Sequence, residues 1–157
     1  NEKENFLTSE AAMKYFITQA IASMIILFSI LVSLIINESM GMMISPLEII
    51  FSSALLTKMG AAPFHFWFPE VIESLTWFNV FLILTWQKLA PLVLIMYNLN
   101  SPIFLMSIIL VSLVISGLKS WNQTSVKKIL AFSSINHIGW MLSILMLNQS
   151  LWIFYFL

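Results

Sequence analysis

Two apolar runs limit the possible folds of this chain more than any other feature: ASMIILFSILVSLII at residues 22–36 and PIFLMSIILVSLVISGL at residues 102–118. Neither holds a charged residue. Each approaches the roughly 20 residues that an apolar helix needs to cross the hydrocarbon core of a bilayer. Lipid offers no partner to a backbone N–H or C=O, so such a run must satisfy its own hydrogen bonds as a helix. The composition agrees. The 157 residues are 60% hydrophobic and 9% charged, with a mean hydropathy of +0.95. A soluble domain carries about a quarter charged residues. The expected fold class is therefore all-α, a polytopic transmembrane helical bundle. Residues 1–157 read as a single transmembrane domain with no soluble domain.

The charges exclude several functions. Seven lysines balance seven glutamates, with no arginine and no aspartate. A nucleic-acid partner has no electrostatic support from such a chain. The absence of cysteine removes disulfides, iron–sulfur ligation and thiol chemistry together. Two histidines without an acidic cluster give no metal-site spacing. No cofactor is expected on this chain, and the lipid bilayer is its first partner.

Helix A is expected from about Ser9, as N-cap, to Ile36. A polar, glycine-containing turn follows at 37–45. Helix B starts near Pro46, a good first-turn residue. Helix C covers about Thr76 to Tyr97, helix D Pro102 to Gly117, and helix E Thr124 to Leu147. Helix F begins near Ser150. The chain opens NEKENFLTSE, without a methionine or a signal-peptide pattern, and ends QSLWIFYFL within an apolar run. The expectation is an internal fragment with five full helices and part of a sixth. If consecutive helices alternate in direction, Lys3, Lys119, Lys127 and Lys128 fall on one side and the opposite loops hold no lysine. The positive-inside rule assigns that side to the cytoplasm or the mitochondrial matrix.

The stretch TKMGAAPFHFWFPE, residues 57–70, interrupts this pattern with helix breakers and ionisable groups. Lys58 lies about 18 Å along helix B from Pro46, at 1.5 Å per residue. Lys88 lies as far into helix C. An ionisable residue at that depth is a functional-site candidate by default. Its charge state responds to a movable negative charge or a change in hydration. Gly60, Pro63 and Pro69 follow Lys58 and predict a broken helix. Irregular backbone at membrane depth survives only inside protein or beside a water-filled cavity, and broken helices carrying ion-handling groups recur in transporters. His65, just past the break, is a candidate proton relay or a structural hydrogen-bonding residue at the kink. Glu10 and Lys14, at i and i+4, share a helix face. They read as an interfacial ion pair, with Thr18 extending a polar stripe. His137, about 20 Å into helix E, reads first as a core histidine bonded to a serine or a carbonyl. Lys127 and Lys128 read as interfacial anchors, and Glu48, Glu70 and Glu73 as helix-boundary residues.

The strings SEAAMKYFITQAIASM, KMGAAPFHFWFPEV, LTWQKLAPL and NQTSVKKILAFSSINHIGWM together resemble the antiporter-like membrane subunits of respiratory complex I. The resemblance is to an animal, insect-like form and covers essentially the whole chain. It implies a fold related to cation/proton antiporter subunits, built from two five-helix inverted repeats, each with a broken helix. Helices A, B and C would close the first repeat, and D and E would open the second. It also implies a proton path along a hydrophilic axis. Lys58 matches the family's broken-helix lysine, Lys88 the lysine of the next helix, and Lys14 a lysine beside a glutamate–lysine pair. The partner glutamate and the last lysine would lie outside residues 1–157. The implied function is proton translocation across the inner mitochondrial membrane, coupled to electron transfer from NADH to ubiquinone. NADH, FMN, iron–sulfur clusters and ubiquinone would belong to other subunits. Neighbouring antiporter-like subunits would be partners. Two departures fall in loops: Ser74 stands where the family has glycine, and residues 119–121 read KSW in place of Gly-Gly-Leu. A cation/proton antiporter subunit, or a scaffold subunit with its lysines as buried glue, remain as other readings.

Overall fold

In a computed structural model, residues 6–37 and 44–156 are described. They form eight helices and no strand. Helix α1 (Phe6–Asn37) begins before Ser9, which therefore is not its N-cap. The Ser9 hydroxyl instead donates to the Phe6 carbonyl at 2.8 Å. Ser23, Ser29 and Ser33 likewise donate to carbonyls three or four residues back. Such bonds let hydroxyls sit within an apolar helix without an unsatisfied donor.

Helix α2 (Ile44–Met59) carries Pro46 in its first turn and stops at Gly60. Gly60 has φ +73°, a conformation that glycine adopts without the steric cost of a Cβ. Its N–H donates to the Thr57 carbonyl at 3.2 Å, and the Ala61 N–H to the Leu56 carbonyl at 3.0 Å. This pair of bonds is a Schellman cap, closed by apolar contact between the residues at its two ends. Leu56 and Ala61 are both fully buried. The expected break is thus a defined structure. Residues 60–66 form a tight connection with a cis Ala62–Pro63 peptide. Short helix α3 (Trp67–Ser74) follows.

Helix C of the sequence reading divides in two, which corrects the expectation of one continuous helix. Helices α4 (Trp77–Leu84) and α5 (Trp86–Tyr97) are separated by Thr85 alone, at φ −109° and ψ −72°. Pro91 lies inside α5, six residues further on. It has no N–H to donate, and its ring crowds the preceding turn. The Thr85 hydroxyl bonds the Phe81 carbonyl at 2.8 Å across the interruption.

Helix α6 (Pro102–Trp121) runs four residues past the expected end at Gly117, which does not take the left-handed conformation that ends a helix at Gly60. Helix α7 (Val126–Leu147) is capped by Ser125, whose Oγ accepts from the Lys128 N–H at 3.4 Å. Helix α8 (Gln149–Phe156) follows at once. Among the described residues, four helical segments are long and apolar enough to cross a membrane: Phe6–Ile36, Trp77–Tyr97, Pro102–Trp121 and Val126–Leu147. The chain is a multi-pass membrane protein.

The main packing partners are α1 with α2 and α3, α2 with α5, α3 with α7, and α6 with α7. Without a hydrophobic drive between helices in lipid, close approach at small residues carries association. Gly139 of α7 provides it, since a Cβ there would stand 2.6 Å from the Ser112 hydroxyl of α6. Two apolar clusters result. One joins Leu55 and Leu56 of α2 to Leu92 of α5, Leu105 of α6 and Met141 of α7. The other surrounds the break through Ala62, Phe68, Ile72, Val80 and Ile135. Helix ends that alternation assigns to one side also meet, while Lys3 lies outside the described residues. Lys14 of α1 reaches α3, Lys119 of α6 reaches the break, and Lys127 and Lys128 of α7 reach the end of α3.

Candidate functional site

Lys88 lies in the first turn of α5 and is 3% exposed. Its Nζ stands 5.5 Å from the centroid of the Phe68 ring. Among the described residues, no carboxylate pairs with it. Cation–π attraction of this kind contributes about 0.5–2 kcal/mol. That is well below the several kcal/mol that burying an ion costs. The break between α2 and α3 therefore delivers an aromatic face, and no counter-ion, to the deepest lysine. His137 of α7 is within electrostatic reach of Lys88 and stacks on Tyr155 of α8, with ring centroids 5.0 Å apart. That stacking replaces the serine or carbonyl partner expected for this histidine.

Lys58 sits in the last turn of α2 and is half-buried. Its carbonyl accepts from Nε2 of Gln19 at 3.3 Å, which ties the end of α2 to α1. Lys58 and Lys88 thus stand on two helices that pack on one another.

His65 lies in the break, outside the four spanning helices, and is 1% exposed. Its ring stacks on Phe66 and meets the edge of Phe132. Nε2 is 3.3 Å from Nζ of Lys119. Nδ1 reaches no partner at hydrogen-bonding geometry, although the Pro63 carbonyl interacts with the ring. Burial, and then the Lys119 ammonium, hold the His65 imidazole below its ordinary range. A groove of about 430 Å³ runs beside it, lined by His65, Phe66, Glu70, Lys119, Gln123 and Lys128 among others.

Lys14 and Glu10 form the expected pair at 2.9 Å, and Glu70 of α3 joins them at 3.0 Å. The Lys14 side chain is 44% exposed in this arrangement. Glu70 is therefore more than a helix-boundary residue. Lys127 donates to the Leu75 carbonyl at 2.6 Å, and Lys128 pairs with Glu73 at 2.8 Å. These two lysines hold the C-terminal end of α3, where unpaired helix carbonyls favour a cation. At the opposite end of the bundle, Glu48 accepts from Nδ2 of Asn100 at 2.8 Å. A smaller cavity of about 270 Å³ lies there between Ser29, Ser33, Glu48 and Asn98.

The contacts of Lys119 and Glu70 escaped the sequence reading. Each joins residues more than fifty positions apart, and helical spacing carries no signal at that range.

The family described as NADH:quinone oxidoreductase/Mrp antiporter, TM, matches the chain over residues 1–157. Curated relatives align along nearly all of it. A protein of Anopheles gambiae is 53% identical over 100% of this chain and 46% of its own length. One of Aedes aegypti is 53% identical over 99% of this chain and 46% of its own. One of Locusta migratoria is 41% identical over 99% and 46% respectively. All three carry the name NADH-ubiquinone oxidoreductase chain 2. The chain spans about half the length of these relatives.

Proposed function

This chain belongs to the NADH:quinone oxidoreductase/Mrp antiporter transmembrane family, and from that premise we propose that it is part of a core membrane subunit of proton-pumping complex I. Its place is the inner mitochondrial membrane, beside other complex I membrane subunits that include neighbouring antiporter-like ones. Its work is to move protons across that membrane, driven by electron transfer from NADH to ubiquinone. The redox groups belong to partner subunits, and this chain contributes no cofactor site.

The observation that carries the proposal is Lys88, buried at 3% exposure with a ring and, among the described residues, no carboxylate against it. A fixed ion pair would hold such a lysine in one charge state. Without one, its charge follows the water and charges that its surroundings supply, which a proton carrier requires. Lys58 lies on the helix packed against it, and protons pass between the two through bound water. His137 is within electrostatic reach of Lys88 and extends the path toward α8. His65 stands at the mouth on the lysine-bearing side. Lys14, held between Glu10 and Glu70, tunes the entrance from the same side.

The test is proton pumping measured with NADH:ubiquinone turnover in sealed membranes, for Lys58→Met and Lys88→Met in the assembled complex. Methionine keeps the volume and removes the titrating group. Pumping is expected to fall by roughly 10²-fold, the scale of a lost proton-transferring side chain, with assembly intact. Rates near those of the unmodified complex in both variants would assign these lysines to packing.

A further inference from the structure

Among the described residues, Lys119 is the one cation that touches His65, and the path above gives it no task. Its Nζ stands 3.3 Å from His65 Nε2 and 4.8 Å from the centroid of the Phe66 ring. An ammonium carries three donors and no acceptor, so Nε2 must be the acceptor in this contact. The ring proton of neutral His65 then sits on Nδ1, the buried atom without a hydrogen-bond partner. The stacked Phe66 ring holds both members, touching the imidazole at 4.6 Å and Lys119 over its face.

The geometry points to Lys119 as a positioning residue that governs proton entry at the break: it occupies Nε2 of His65 from the groove and fixes the ring in its Nδ1–H form. This rests on the proton-path reading of His65. A proton arriving from the groove cannot reach Nε2 while the ammonium is there, because two donors cannot share a hydrogen bond. Entry requires Lys119 to swing off Nε2 into the groove; a proton then adds to Nε2, and the returning ammonium displaces it from Nε2 back to the groove, so the ring holds a second proton only while Lys119 is away. The other charged groups around the ring leave Lys119 this role. Glu70 of α3 lines the groove but is bound to Lys14, and Lys128 of α7 is bound to Glu73. Phe132 is the neighbour from α7 against the ring itself.

The experiment compares Lys119→Gln and Lys119→Arg in the assembled complex, reading proton pumping and coupled turnover from acid to alkaline pH. Removing the cation makes His65 easier to protonate. In K119Q the limb of the profile set by His65 therefore moves to higher pH, by about 0.5–1 unit. K119R keeps a charged donor at Nε2 and retains the original profile. If K119Q does not assemble, Lys119→Met, which keeps the stem, takes its place. An unmoved profile in the uncharged variant overturns the inference. So does an equal shift in K119R, since it would mean that the cation is not what matters. Lys88→Met is run alongside. If K88M abolishes pumping while K119Q leaves the profile unmoved, only the role of Lys119 fails. If K88M pumps normally, the proton-path reading itself fails.

Discussion

The chain interrupts its helices twice beside a deep lysine, and the two interruptions are built differently. The first, between α2 and α3, takes residues 60–66, a left-handed glycine and a complete Schellman cap. It is sealed by Ala61, Ala62 and Phe68 and opens at His65 onto the groove. The second, between α4 and α5, is Thr85 alone, with no glycine, its N–H and hydroxyl both turned back on carbonyls of the preceding turn. Its lysine, Lys88, is the more deeply buried of the two. A long break builds an entrance because it needs partners for its backbone and leaves a ring nitrogen and a cation at its rim. A one-residue break disturbs the helix while the surrounding side chains keep water out. The first break is therefore expected to fail when its parts are changed, and the second to tolerate repair.

Phe68→Ala tests this most severely. The Phe68 ring packs against Gly60 and faces Lys88, and truncating a buried phenylalanine costs about 3–5 kcal/mol. The variant complex, carrying the full-length chain, should melt well below the unmodified one. Equal melting would show that the break is a loose connection.

Gly60→Ala comes next. The substitution forces a Cβ into a left-handed residue and to within 3.0 Å of the Phe68 ring, for a loss of about 1–3 kcal/mol. Its control is Gly117→Ala in mid-α6, where the new Cβ meets open space and alanine is the better helix former by about 0.5–1 kcal/mol. Opposite signs in one thermal assay support the distinction. The same sign for both would remove the special role of Gly60.

Pro91→Ala addresses the second interruption. It restores a donor to the Gln87 carbonyl and relieves the clash with the preceding turn, so stability should hold or rise, within the roughly 3 kcal/mol that separates proline from alanine in a helix interior. A marked loss would show that Thr85 is as built-in as Gly60. The smallest effect is expected from Glu70→Gln. The Lys14–Glu70 contact is solvent-accessible and Glu10 still satisfies the lysine, so melting should not move measurably. A clear drop would mean that Glu70 anchors α3 in place.

The sequence alone determined the helical membrane class, the turn at residues 98–101, and the break after Lys58, while the turn expected at 37–45 falls mostly outside the described residues. These follow from local physics. An apolar run must satisfy its own backbone, a Gly followed by prolines must end a helix, and a lysine deep in such a run stands out against its neighbours. Local signals misled at Ser9, whose hydroxyl bonds back into its own helix, and at Thr85, which lies within an apolar run that reads as continuous. Only the tertiary structure decided the partners. It put Lys119 on His65, Glu70 on Lys14, Phe68 beneath Lys88 and Tyr155 on His137. Periodicity reports which face of a helix a residue shares. It does not report which other helix that face meets, because a pairing across fifty residues is set by how the whole bundle packs.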